Sequence, residues 1–319
     1  MLKLFFNFLE AFWHSKAWAE KTVVLFAAIF LSFQFAQASD INESLQNGVM
    51  MIRTLEGGPA YLLYVPRKGG ENAPVFVTVH GISRDAIEQA YMYADLAERY
   101  GVVMIAPYFS EPPFSDYQFL GRNGRGQRAD LALDKIADEV GKLTHARTDK
   151  LYLFGYSGGG QFVHRYTLAH PGRVAKVAIG AAGWYTFPDP DLPYPYGLKV
   201  SRKDFSGVVF DPEKFLKVPT RVFVGDEDVK QDPALNKSQR IVRQQGATRV
   251  ERAQNWIVAM KKAADSLGEQ TPYSVELLPG AGHSYSQSMQ IGGMGPKVFS
   301  FLFEPAGIPQ RVSMRFNNH

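Results

Sequence analysis

The sequence predicts an α/β fold built on one mainly parallel sheet that is covered by helices on both faces. After residue 39, short apolar runs rich in β-branched residues alternate with longer amphipathic stretches, which is the pattern of repeated βα units. Several apolar runs lack a polar residue at every second position, as expected for strands buried on both faces. The chain has 319 residues, of which 45% are hydrophobic and 21% are charged, so it can bury a large core.

Seven apolar runs are predicted to form the strands of this sheet. In chain order they are 60–65, 75–80, 102–106, 151–154, 174–179, 221–224 and 273–278. Five stretches are predicted to be helices because their apolar residues recur on one stripe. They are 86–100, 130–145, 158–169, 248–267 and 286–303. No internal repeat or long linker interrupts this order, so we predict a single domain over residues 39–319.

Residues 1–38 are predicted to be an export signal. Residues 22–39 contain no charge, two lysines precede them, and Ala36 and Ala38 form a small-residue cleavage signature. We expect cleavage after Ala38, which would place the mature protein in the periplasm or outside the cell. The alternative is an uncleaved membrane anchor over residues 22–39, since this uncharged stretch is close to a spanning length. Only in that case is a membrane expected as a partner.

The composition excludes several other classes of protein. The net charge is +4, from 35 Lys and Arg against 31 Asp and Glu, which is too small an excess for a nucleic-acid-binding surface. Because the chain has no cysteine, a disulfide framework, a thiolate metal site and a cysteine nucleophile are ruled out. The sequence also lacks HExxH and other dense spacings of histidine and carboxylate, so we expect no metal and no cofactor.

The segment LYLFGYSGG, residues 151–159, carries the clearest chemical signal. An apolar strand runs directly into Gly-x-Ser-x-Gly, and a helix is predicted to follow. This pattern is typical of a nucleophile elbow, where small residues flank the nucleophile so that strand and helix can approach closely. Ser157 is therefore the candidate nucleophile, and the N–H of Gly158 is a candidate oxyanion donor. Tyr156 is a candidate for contact with the substrate.

A serine hydroxyl needs a base and a carboxylate that orients the base. If the chain order is nucleophile, acid, histidine, only His283 qualifies among the seven histidines, in the loop PGAGH after the last predicted strand. The acid should follow the strand 221–224, where GDED offers several carboxylates. We favour Asp228, whose turn would fold back beneath the histidine, and Asp226 is the main alternative.

Two loops complete the predicted site. The loop after strand 75–80 should supply a second oxyanion donor, for which the N–H of Ile82 is the candidate. The stretch 184–196 is unusually rich in aromatic residues and proline, and Trp184 and Tyr185 are candidates for an aromatic wall along the substrate. The alternative for these aromatic side chains is packing in the core.

Four motifs occur in the order found in the α/β-hydrolase superfamily, which this chain resembles over residues 60–303. They are HG, GYSGG, GDED and GAGH, each at the end of a predicted strand. The segments HGISRDA, GYSGGGQFVHRY and AAGWYTFPDP are similar to those of exported bacterial serine esterases in the dienelactone hydrolase and polyhydroxyalkanoate depolymerase groups. A dienelactone hydrolase has a cysteine nucleophile, so the absence of cysteine argues against that particular activity.

The resemblance implies the α/β-hydrolase fold and hydrolysis of a small-molecule or polymeric carboxylic ester through an acyl-enzyme. Ser157, His283 and Asp228 would form the catalytic triad, and the N–H groups of Ile82 and Gly158 would bind the oxyanion. No cofactor is implied. Two alternatives stay open, namely a peptidase or amidase on the same fold and a binding protein that retains the fold without turnover.

Overall fold

The structure is a computed structural model. The residues that it describes are 45–203, 205 and 208–305. The chain divides into two compact units, Met1–Leu45 and Gln46–His319, and the described residues belong almost entirely to the second. The predicted export signal over residues 1–38 and the alternative anchor over residues 22–39 lie outside the described residues. In the described part of the chain, no helix combines the length and the hydropathy needed to cross a membrane.

The second unit contains an eight-stranded sheet in the order β1-β2-β4-β3-β5-β6-β7-β8. The strands are β1 Met50–Thr54, β2 Ala60–Tyr64, β3 Pro74–Val79, β4 Val103–Pro107, β5 Arg147–Tyr156, β6 Val174–Gly180, β7 Thr220–Gly225 and β8 Tyr273–Leu278. β2 is antiparallel to both of its neighbours, β1 and β4, and every other adjacent pair is parallel. The predicted mainly parallel α/β sheet is therefore confirmed.

Helices pack against this sheet through their apolar stripes. The described helices are α1 Ala86–Tyr100, α2 Ala129–Thr144, α3 Gly158–Ala169, α4 Pro212–Phe215, α5 Gln239–Gln245, α6 Arg249–Ser266, α7 Tyr285–Gln290 and α8 Met294–Phe303. Short 3₁₀ turns occur at Tyr117–Phe119 and Pro171–Arg173. α1 contacts β3 and β4, α3 contacts β5 and β6, and α6 contacts β7 and β8.

Large apolar side chains of the central strands fix two of these helices on the sheet. Phe76 of β3 makes edge-to-face contacts with Tyr93 of α1 and Phe299 of α8, at ring-centroid distances of 5.0 and 4.8 Å. All three rings are fully buried. Each such aromatic pair contributes about 1 kcal/mol beyond the burial of its area, so this cluster helps to hold the sheet in place beneath the site.

The structure differs from the sequence-based prediction at a few elements. β1 was not among the predicted strands, and the short helices α4 and α5 were not among the predicted helices. The predicted helix 286–303 is two helices, because the chain breaks at Gly292 and Gly293, and Gly293 has a φ of 62°. This left-handed conformation favours glycine and ends helical continuity.

The carboxyl ends of the parallel strands define where a site can form. β3 and β5 to β8 run in the same direction, so the loops that follow them lie along one edge of the sheet. Open α/β sheets bind ligands at that edge. The four predicted motifs follow β3, β5, β7 and β8 and therefore lie along this edge.

Candidate active site

The turn between β5 and α3 has the geometry of a nucleophile elbow. Ser157 has φ 53° and ψ −110°, a strained backbone conformation for a residue with a side chain. Its N–H donates to the carbonyl oxygen of Gly180 at 2.7 Å, which ties the turn to β6. α3 begins at the next residue, Gly158. The Ser157 side chain is thereby held at the carboxyl edge of the sheet.

Glycine is required at two positions around this elbow because backbone passes too close for a side chain. A Cβ at Gly155 would overlap the carbonyl of Gly159, and a Cβ at Gly159 would overlap the carbonyl oxygen of Val79 and lie 2.7 Å from that of His80. The strand β3, the strand β5 and the start of α3 can approach each other only without these side chains. The Gly-x-Ser-x-Gly pattern predicts this need for small residues on both sides of the serine.

Substituting Gly159 with alanine is expected to destabilise the fold by about 3 kcal/mol, because the methyl group meets rigid backbone atoms of β3. Gly172 is a matched control, since a Cβ there has nothing within 4 Å, and its alanine variant should change stability by about 0.5 kcal/mol or less. Urea unfolding of the two variants measures the difference. Equal stability of both variants would contradict the close approach seen at the elbow.

A serine, a histidine and an aspartate are linked by hydrogen bonds at this edge. Ser157 Oγ lies 3.1 Å from His283 Nε2, and His283 Nδ1 lies 2.8 Å from Asp228 Oδ2. With Nδ1 protonated, the ring donates to the carboxylate and its Nε2 can accept the serine proton. The Asp228 side chain is 1% exposed, whereas the His283 side chain is 21% exposed. The ring is thus open to solvent on one side and anchored by a buried carboxylate on the other.

The neighbouring acid, Asp226, makes a different contact. Its Oδ1 accepts a hydrogen bond from the N–H of Gly280 at 2.8 Å, and its own N–H donates to the carbonyl oxygen of Leu278 at 3.1 Å. Asp226 is exposed and ties the loop after β7 to the end of β8. Of the two carboxylates considered from the sequence, the one that meets the His283 ring is that of Asp228.

Three groups surround the start of α3 in front of Ser157. A Cβ at Gly158 would lie 2.6 Å from Tyr117 Oη, 3.0 Å from Ile82 Cγ2 and 3.2 Å from Gln118 Nε2. The Ile82 side chain is 52% exposed. Gly158 and Ile82, the two predicted oxyanion donors, are therefore close neighbours beside the serine. Tyr117 and Gln118 were not predicted as site residues, and they lie in the 3₁₀ turn Tyr117–Phe119.

His80 serves the loop after β3 as a structural residue. Its Nδ1 lies 2.8 Å from the carbonyl oxygen of Gly81, and its Nε2 accepts from the N–H of Phe109 at 3.0 Å. The ring is fully buried, and burial lowers its pKa to about 4. The imidazole is neutral at pH 7 and connects two loops.

Three aromatic residues predicted to contact substrate are mostly buried. Tyr185 is 0% exposed and stacks on Trp256 at 4.8 Å, so the prediction of substrate contact by Tyr185 is corrected to a packing role. Trp184 is 6% exposed and packs between Phe119 and Tyr196. Little of its surface reaches solvent, and its contact with substrate stays a prediction.

Tyr156 lies behind the histidine ring and is 5% exposed. Its ring stacks on that of His283 at 5.7 Å with an interplanar angle of 21°, and its hydroxyl lies 3.2 Å from Ser288 Oγ. In this position Tyr156 supports the orientation of the imidazole. Substrate contact by Tyr156 stays a prediction, although little of its surface is available for it.

Arg249, at the start of α6, is a site residue that the sequence analysis missed. Its Nη1 donates to Asp228 Oδ1 at 3.1 Å and to Asp232 Oδ2 at 2.5 Å. The arginine side chain is 1% exposed. No local pattern in the sequence indicates this contact, because Arg249 lies on a predicted helix that follows the acidic loop.

Among the described residues, no group of three histidine, cysteine or carboxylate side chains is placed to hold a metal ion. The site thus consists of a strained serine, an anchored histidine and backbone N–H groups beside them. This arrangement supports nucleophilic attack by the serine on an electrophilic carbon.

The sheet order and the elbow between β5 and α3 define the chain as having the α/β-hydrolase fold. No protein-family model matches the sequence, and no curated protein matches it either. Solved structures of other proteins are similar to this chain. Their sequence identities to it are low, so the similarity is one of fold.

Several solved structures cover most of the chain. A poly(aspartic acid) hydrolase from Sphingomonas sp. KT-1 has a TM-score of 0.68 at 23% identity, with 82% of this chain and 100% of that chain covered. A poly(3-hydroxybutyrate) depolymerase from Bordetella parapertussis has a TM-score of 0.65 at 23% identity, with 86% and 95% covered. An S-formylglutathione hydrolase from Agrobacterium tumefaciens has a TM-score of 0.54 at 15% identity, with 82% and 99% covered. The predicted resemblance to the α/β-hydrolase superfamily is confirmed at the level of the fold.

Proposed function

We propose that the protein is a serine hydrolase that cleaves carboxylic esters through an acyl-enzyme. The observation that carries this proposal is the unbroken hydrogen-bonded chain from Ser157 through His283 to Asp228 at the carboxyl edge of the sheet. A hydroxyl, an imidazole and a buried carboxylate in this order are the groups that acyl transfer requires. The three solved structures named above are hydrolases or a depolymerase, which agrees with the proposal.

In the first half of the reaction, His283 Nε2 takes the proton of Ser157 as Oγ attacks the ester carbonyl. The N–H groups of Gly158 and Ile82 bind the oxyanion of the tetrahedral intermediate, and loss of one such donor costs about 3 kcal/mol of barrier. The protonated His283 then gives its proton to the leaving alcohol. Asp228 holds the Nδ1–H and stabilises the imidazolium during both proton transfers.

Water completes the reaction. His283 removes a proton from a water molecule that attacks the acyl-enzyme, and the carboxylic acid is released as Ser157 regains its proton. The chemistry requires no metal and no organic cofactor, since backbone N–H groups provide the electrostatic stabilisation.

The substrate is proposed to be a small-molecule or polymeric ester. The likeness to a poly(3-hydroxybutyrate) depolymerase supports a polymer as one possibility. An amidase is a second candidate, because a poly(aspartic acid) hydrolase is among the similar structures and amino acids are commonly polymerised through amide bonds. The same three side chains would serve either reaction.

A fluorophosphonate probe tests the proposal directly. We expect covalent labelling at Ser157, located by mass spectrometry of the digested protein, together with hydrolysis of p-nitrophenyl esters. Esters of increasing acyl length, soluble polyesters and matched amides assayed in parallel define the substrate class. Absence of labelling in the folded protein would favour a binding protein that keeps the fold without turnover.

We propose that the protein is exported, with residues 1–38 removed. The support is the uncharged stretch 22–39 and the small residues before Ser39. Mass spectrometry of the protein recovered from its native host separates the two possibilities. A chain that starts at Ser39 agrees with export and cleavage, and a chain that starts at Met1 in the membrane fraction agrees with the anchor.

A further inference from the structure

A buried arginine lies behind the acid of the proposed triad. Arg249 Nη1 donates to Asp228 Oδ1, while the other oxygen of the same carboxylate accepts from His283. Both the Arg249 and the Asp228 side chains are 1% exposed. Asp232 accepts from the same Nη1 on the side nearer to solvent. The contacts thus form one series from Ser157 to Asp232.

The position of Arg249 is not explained by the stability of its own helix. It is the first residue of α6, after the N-cap Thr248. A cation at a helix N-terminus is disfavoured by the helix dipole. Removing a guanidinium from water costs several kcal/mol more unless it is paired. The carboxylates of Asp228 and Asp232 compensate for both costs, so the local reason for this arginine is its contact with the acid.

We propose that Arg249 is a positioning residue that fixes the Asp228 carboxylate toward His283 and, together with Asp232, sets the pH at which His283 loses its proton. This inference rests on the proposed function. With Oδ2 engaged by His283 and Oδ1 by Arg249, the carboxylate is held at two points and cannot rotate away from the ring. The reaction then begins with the imidazole already aligned on Ser157.

The charges along this series act on His283 with opposite signs. Asp228 favours the imidazolium, Arg249 disfavours it, and Asp232 offsets Arg249. The hydrogen bond from Arg249 is the main cause that lowers the pKa of Asp232 to about 2, so this carboxylate stays ionised over the working pH range. Removing the arginine charge should therefore favour the imidazolium, and removing the Asp232 charge should disfavour it.

Three ionisable groups beside this series keep one charge state between pH 5 and pH 8. Tyr156 from β5 and Tyr185 from the loop after β6 have pKa values raised by burial, so both stay neutral. Burial lowers the pKa of Arg252 on α6 to about 10, so it stays charged.

The test uses Arg249→Met, Arg249→Lys and Asp232→Asn in the full chain. The readouts are the pH dependence of the rate of fluorophosphonate labelling and the NMR titration of the His283 imidazole, assigned by the signal that is lost in His283→Asn. The rate of labelling should fall as the pH is lowered, and we call this part of the profile the acid limb. In Arg249→Met the midpoint of the acid limb should rise by about one pH unit. Arg249→Lys should restore the midpoint, and Asp232→Asn should lower it.

Arg252→Met is the matched control. Arg252 is a second buried arginine of α6, and it donates to the carbonyl oxygens of Gly183 and Asn236. Its loss should lower the free energy of unfolding and move the acid limb far less than loss of Arg249. If the role of Arg249 were merely structural, both arginine variants would move the acid limb to the same small extent.

Shifts of opposite sign in Arg249→Met and Asp232→Asn support the inference. An unchanged acid limb in folded Arg249→Met overturns it. If Arg249→Met does not fold, Asp232→Asn decides, because that side chain is partly exposed, and an unchanged or raised midpoint there overturns the inference. If the wild-type protein does not react with the probe, the proposed function fails, and the NMR titration still tests the effect of Arg249 on His283.

Discussion

Replacing Ser157 with alanine is expected to lower kcat/KM for ester hydrolysis by a factor of about 10⁴ to 10⁶. The hydroxyl is the group that meets His283 Nε2, and an alanine methyl cannot form the acyl bond. The fold should persist, since alanine adopts the strained φ of 53° no less readily than serine does. We expect the free energy of unfolding to change by about 1 kcal/mol or less.

Steady-state hydrolysis of a p-nitrophenyl ester and urea unfolding, measured on the same preparations, check this expectation. Ser266→Ala is the matched control, because Ser266 is exposed at the end of α6 and its hydroxyl donates only to the nearby carbonyl of Ala263. Its activity should equal that of the wild type. A Ser157→Ala variant with an unaltered rate would mean that another group performs the reaction.

Most of the sheet can be predicted because its strands are buried on both faces. All five residues of β4 are buried, for example, so the strand appears in the sequence as an uninterrupted apolar run. β1 lies at the edge of the sheet, and one of its five residues is buried. Its sequence, MMIRT, therefore carries too weak a pattern to be recognised. β5 begins earlier than predicted. Its first residues are polar and largely exposed, so the sequence pattern does not indicate a strand there.

The candidate site was predictable where it depends on topology. Parallel strands bring their carboxyl ends to one edge, so the order of motifs along the chain indicates which loops meet. Contacts between side chains of distant elements carry no such local signal. Arg249 at the start of a helix contacts Asp228 in a loop, and the two residues are distant in sequence. Likewise, the aromatic content of residues 184–196 does not indicate that Tyr185 packs on Trp256 in the interior.

Replacing Asp228 with asparagine is expected to lower kcat by about 10⁴-fold. Asparagine keeps the shape of the side chain but has no charge to stabilise the imidazolium, and its amide can orient the ring with the wrong nitrogen protonated. The variant also leaves the buried Arg249 with only Asp232 as a charged partner. A moderate loss of stability should therefore accompany the loss of activity.

Asp226→Asn is the matched comparison, since it removes the same charge from the same loop. Asp226 is exposed, and its carboxylate contacts the N–H of Gly280 rather than the imidazole. An amide oxygen can still accept that hydrogen bond, so kcat should fall by about threefold or less. Kinetic assays of both variants, with circular dichroism to verify folding, separate the two carboxylates. The reverse result would assign the orienting role to Asp226 and would require the loop after β7 to rearrange before the reaction, because of these two carboxylates it is that of Asp228 that contacts the His283 ring.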